Sequence, residues 1–280
     1  MAYPDVSAPY GLNPINLIGG QVYAGSTRSL PIQYGYGTNI FFGDLVVLSR
    51  GFITRAAVST GTGSNQVTGV FLGVSFTNPQ TKQKQFAQYW PASTLAGDAM
   101  AVICDDPDAV FKATMCSSGT TVASGAFALV GTNLSLIDNT GNTNTGNSAV
   151  AVLAPTATPV TSILPVRCVG LVPDTEITTS ATGSSSSTTI TLTGTGLPAA
   201  IPVGTDVAYI AANGQVIQTG SFVTAAAVAG ATSVTINAQP TVLGSGANIP
   251  ASSTIVFTQY PEVLVKLNLL VHGYYSSTTA

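Results

Sequence analysis

From Thr38 onward the chain alternates short β-branched or aromatic runs with turn-forming residues, and that rhythm restricts it to an all-β architecture. NIFFGDLVVLS, GFITRAAV, VTGVFLGVSF, AMAVICDD, AVFKATM, TVASGAFALVG and LSLIDNT each read as strands, with Gly, Asn, Asp and Pro between them. Helical stripes are scarce because Thr, Ser, Val and Gly dominate, and PASTLAGDA is the best candidate for a helical turn. The run NTGNTNTGN, Asn139 to Asn147, reads as a polar loop, after which AVAVLA and ILPVRCVGLV resume the strand pattern to about Pro173. The expected body is a small β-barrel or sandwich.

Two segments stand apart from that body. Residues 1–20 are rich in Pro, Gly, Asn and Tyr, and Pro4, Pro9 and Pro14 disfavour helix, so they are expected to form an extended arm. Tyr3, Tyr10, Ile15, Leu17 and Ile18 are too apolar for a segment meant to stay solvated, so the arm should dock. Tyr3, Pro9, Tyr10, Leu12, Pro14, Ile15, Leu17, Tyr34 and Tyr36 are the candidate contacts with a neighbouring subunit.

The second segment begins at TEITTSATGSSSSTT, Thr175 to Thr189, which reads as a flexible connector and a domain boundary. Beyond it lies a two-fold repeat: Ile190 matches Val234, Leu192 matches Ile236, and Ile201-Pro202 matches Ile249-Pro250. The copies should be hairpin-like units that bury one shared face. YPEVLVKLNLLVHGYY then reads as the last strand of the body, with Val263, Val265, Leu267 and Leu269 on one side. The body is therefore expected to comprise residues 21–174 plus 259–280. Residues 175–258 should form an inserted β domain that projects outward.

Charged residues make up only 7% of the chain while hydrophobic residues reach 45%, so the surface must be built from Ser, Thr, Asn, Gln and Gly. Such a surface can be buried against neighbours at modest desolvation cost, which suits an assembly component. A net charge of −3, with Lys82 and Lys84 as the main basic cluster, argues against nucleic acid as a partner. No apolar run is long enough to span a bilayer, and MAYPDVSAPYGLNPINLIGG lacks the marks of a secretory signal, so synthesis in a cytoplasm is expected. Cys104, Cys116 and Cys168 have neither zinc nor disulfide-framework spacing and are expected to be buried free thiols.

Catalytic groupings are sparse. The single histidine, His272, lies in a strand-like run with no GxSxG elbow near any serine, and it reads as structural. In CDDPD, Asp105, Asp106 and Asp108 could hold Ca²⁺, but an Asx-type turn ahead of Pro107 is the favoured reading. Tyr34, Tyr36, Phe41, Phe42, Phe86, Tyr89 and Trp90 fit core and interface packing better than a sugar platform. The glycine-rich segments open no helix and are followed by no Walker lysine, so neither enzyme activity nor a cofactor is expected.

The order of APYGLNPIN, GYGTNIFFGDLVVL, GVFLGVSF, YWPAST, VICDDPDAVF, NTNTGNS, LPVRCVGLVP and EVLVKLNLLVHG resembles a family of capsid cement, or decoration, proteins of tailed phages. The resemblance covers most of the chain outside the insert. It implies a β-barrel on the outer capsid surface that bridges neighbouring major capsid proteins as a homo-oligomer, with a trimer favoured. Residues 175–258 depart from the family, which usually has a short acidic loop there. The alternative is a tail or baseplate component whose insert is a receptor- or carbohydrate-binding tip.

Overall fold

The computed structural model describes residues 6–18, 20–57, 66–154, 164–240 and 248–274. The protein is all-β. The first half contributes β1 (Asn13–Leu17), β2 (Arg28–Pro31), β3 (Leu45–Ser49), β4 (Phe52–Arg55), β5 (Gly69–Thr77), β6 (Lys84–Ala87), β7 (Met100–Cys104), β8 (Ala109–Ser118) and β9 (Thr121–Val122). The rest contributes β10 (Asn133–Leu134), β11 (Leu136–Ile137), β12 (Ala151–Leu153), β13 (Val166–Leu171), β14 (Ile177–Ser185) and β15 (Thr189–Leu192). β16 (Asp206–Ile210), β17 (Val216–Phe222), β18 (Ser233–Thr235), β19 (Ile249–Gln259) and β20 (Glu262–Leu267) complete the order.

One sheet runs β2-β7-β5-β3-β4, with β6 added to β5. A parallel bridge between Ile32 and Ile53 brings the end of β2 onto β4 and nearly closes this sheet into a barrel. Closure demands strong bending, and a bulge between Phe71 and Gly73, with Gly73 at φ +151, supplies it on β5. Ile32, Ile40, Ile53, Phe71, Trp90 and Ile103 fill the interior. Trp90 meets Phe76 edge-on at 5.5 Å.

The second sheet runs β10-β13-β20-β8-β12-β11, with β1 and β9 also paired to β8. Its inner face shares one core with the outside of the barrel: Phe111, Met115, Val152 and Val265 cluster with Leu45 and Val70. β13 and β20 lie side by side here, Val166 opposite Leu267. The chain leaves the body after β13 and rejoins it at β20.

Between those strands stands the third sheet, β17-β16-β19-β14-β15-β18, all antiparallel. A bridge between Val223 and Ile236 joins its two edge strands into a ring. The two repeat copies interleave instead of folding as separate hairpins. Ile190 faces its own counterpart Val234 across β15 and β18. Ala208 faces Val256, its equivalent at the repeat spacing of 48 (249 − 201 = 48; 208 + 48 = 256), across β16 and β19. Equivalent residues that meet directly across antiparallel pairs place a pseudo-two-fold axis through both contacts.

Several expectations need correction. The Ser/Thr-rich run is not a connector, because Ile177–Ser185 forms the long strand β14 with Thr179, Gly183 and Ser185 buried. Alternating Thr and small residues suit a pleated strand once a partner as long as β19 is available. PASTLAGDA forms turns without a helix. TVASGAFALVG is a strand only at Thr121–Val122 and then a 3-10 turn at Phe127–Leu129. The final strand stops at Leu267, so Leu269 is exposed and not aligned with Val263 and Val265. Glu262, the first residue of that strand, is buried alongside Val263 and Val265.

Candidate assembly surface

The arm folds onto its own body. β1 pairs antiparallel with the first half of β8, Asn13 opposite Lys112 and Leu17 opposite Ala109, with a register shift between Pro14 and Asn16. Pro9 and Leu12 are buried within the chain, so they serve this docking and cannot face a neighbour. Pro14 and Leu17 are half-buried, while Ile15, at the register shift, is exposed. Tyr10 donates its hydroxyl proton to Glu262 Oε1 at 2.5 Å, and Lys112 Nζ lies 3.2 Å from the same oxygen. Burial, reinforced by the Glu262 carboxylate, raises the Tyr10 phenol far above its usual range. Tyr3 lies outside the described residues. A groove of about 780 Å³ runs beside the arm, walled by Val6, Ile15, Leu171, Pro173 and Leu264.

Tyr34 and Tyr36 part company. Tyr36 packs against the barrel interior, and its hydroxyl accepts the Arg55 N–H at 3.0 Å. Tyr34 is 62% exposed on a turn held beside the next loop, where Gly35 N donates to Thr94 O at 3.2 Å. That loop carries Leu95, 55% exposed, and Phe86 stands 85% exposed on β6, which among the described residues pairs only with β5. Sequence reasoning grouped Phe86 with the packed aromatics and passed over Leu95. A single aromatic inside KQKQFAQ, preceded by Lys82, Gln83, Lys84 and Gln85 and followed by Ala87 and Gln88, was the available signal.

The other polar candidates are tied into the fold. Asp105 pairs with Arg28 at 2.7 Å and accepts the Tyr274 hydroxyl at 2.9 Å. Asp106 Oδ1 accepts the Asp108 N–H at 2.9 Å, an Asx turn, and Asp108 reaches Lys266 at 3.6 Å. Among the described residues no group of His, Cys, Asp and Glu is arranged to hold a metal ion. His272 is fully buried beside Tyr274, and burial lowers its basicity. The three cysteines are buried free thiols, with Cys116 and Cys168 pushed up to about 11 by desolvation.

A buried ionic brace links the barrel to the second sheet. Asp44 accepts from Arg55 Nε at 2.9 Å, Ser148 Oγ at 2.6 Å and Phe41 N at 2.9 Å. Arg55 also pairs with Asp138. Desolvation outweighs these partners and raises the Asp44 carboxyl above its usual range. Asp206, at the seam between insert and body, drew no notice in the sequence, although it is the only Asp, Glu, Lys, Arg or His between Ile177 and Gln259.

No protein-family model matches the chain, and no curated protein matches it. Among the described residues no helix is long and apolar enough to cross a membrane.

Proposed function

We propose that the protein is a structural subunit of a tailed-phage virion, a cement protein on the outer capsid surface that bridges neighbouring major capsid proteins. The observation that carries this reading is the exposure of three large apolar side chains, Tyr34, Phe86 and Leu95, on the segments that build the barrel of a chain with only 7% charged residues. A standard protein interface covers about 800 Å² per partner. Apolar burial there gains about 25 cal/mol per Å² against the costs of association, and few charged groups need desolvating. The order of sequence blocks that resembles cement proteins supports the same assignment, and with it a homo-oligomer, a trimer by preference.

Particles assembled without the protein should release their DNA at a lower temperature than complete ones. Unchanged release would sink the reading. Its rival is a tail or baseplate subunit with the insert as a binding tip, favoured by the insert being a closed barrel of its own with only two ionisable carboxyls, Glu176 and Asp206, across residues 175–258. Copy number per virion separates the two, because a shell requires hundreds and a tail at most dozens.

A further inference from the structure

We propose that the seam between insert and body is a proton-dependent latch, in which Asp206 holds the insert closed as the neutral acid and loosens it as the carboxylate. Asp206 opens β16, is 1% exposed, and sits opposite Phe222 of β17 and Thr258 of β19. Phe222 belongs to the insert by sequence yet packs into the core of the body, which places its neighbour Asp206 where the two modules meet. Around it, Ser124 N of the body donates to Val203 O of the insert at 2.9 Å, and Tyr260 N donates to Ser124 Oγ at 2.8 Å.

The carboxylate gets little help there. Peptide N–H groups of Phe127, the first residue of the 3-10 turn, and of Val207 favour its charge, but neither oxygen completes a full hydrogen bond and no cation among the described residues contributes. β17, β19 and the 3-10 turn carry no acidic, basic or phenolic side chain, and β16 itself adds only Tyr209. The remaining groups facing the seam are Tyr260 and Glu176. Burial holds the Tyr260 phenol near 12, so it stays neutral, and the charge of Glu176 has the same sign as an ionised Asp206. Desolvation pushes the Asp206 carboxyl from 3.8 to about 7. The closed seam therefore retains a proton that the open seam gives up. Closure is firmest below the ordinary carboxyl range and weakens as the pH rises through about 7.

Hydrogen exchange on the full chain, corrected for intrinsic chemistry, tests this. One-proton linkage with a carboxyl moved from 3.8 to about 7 raises the seam-opening equilibrium about 30-fold between about pH 5.5 and about pH 8.5. The rise should appear in peptides covering 124–132 and 203–207, while the barrel around Phe71 and Trp90 stays unchanged. Asp206→Asn should remain protected at both pH values. A flat wild-type profile at the seam, or a wild-type response in Asp206→Asn, overturns the latch. If Asp206→Asn does not fold, the wild-type profile decides alone, since its midpoint must fall near 7.

Discussion

The body barrel and the insert barrel both enclose large apolar side chains, Phe71 and Trp90 in one, Tyr209 and Phe257 in the other, but only the body barrel is braced by charge. Arg55 ties its wall to Asp44 and Asp138, and Lys84 pairs with Asp98 at 2.9 Å across its outside. The insert uses hydroxyls for the same purpose: Thr219 Oγ1 donates to Val207 O at 2.6 Å, and Ser185 Oγ donates to Thr189 O at 3.0 Å. Closure therefore depends on bending and interior filling, which both barrels have. Charge serves to fasten a barrel to its surroundings, and the insert is fastened by fit instead.

The largest effects should come from emptying each interior. Phe257→Ala and Phe71→Ala should each cost about 3–5 kcal/mol. Trp90, the only tryptophan and fully buried in the body barrel, reports which region melts. Phe71→Ala should lower the fluorescence midpoint, whereas Phe257→Ala should lower only the circular dichroism midpoint. Equal shifts in Trp90 emission would show that the barrels unfold as one unit and break the comparison.

Next comes the brace. Arg55→Met leaves Asp44 buried without its cation and should cost about 3 kcal/mol in chemical denaturation, read by Trp90. A loss below about 1 kcal/mol would reduce the pair to a surface contact.

Gly204→Ala probes fastening by fit. Gly204 sits at φ +85, and a Cβ there would lie 1.8 Å from Ser124 O. Strain and clash together should cost about 2 kcal/mol and open the seam to limited proteolysis. Smallest of all, Phe86→Ser should change stability by less than about 0.5 kcal/mol while weakening binding to empty shells. Full binding by that variant would remove Phe86 from the assembly face.

Much of this was legible along the chain. Short β-branched and aromatic runs bounded by turn residues identified the strands β3, β5, β7, β8 and β20, because each carries several buried apolar side chains. The repeat was visible at Ile190 and Val234, but interleaving was not, since nothing local says that a copy will pair with its twin instead of with itself. The arm's stickiness was readable, yet its destination on β8 depends on residues about a hundred positions away. Likewise the CDDPD carboxylates stood out, while Arg28, Tyr274 and Lys266, which hold them, come from both ends of the chain. Phe86 and Asp206 were missed for opposite reasons. One is an aromatic that burial did not claim, and the other is a charge that burial did.

The self-facing pairs Ile190 with Val234 and Ala208 with Val256 bear on ancestry. A chain holding one copy of the repeat could complete the ring only by embracing an identical molecule. The module thus has the form of a strand-exchanged dimer whose halves were joined by tandem duplication, and a single half, expressed alone, should recover the ring as a pair.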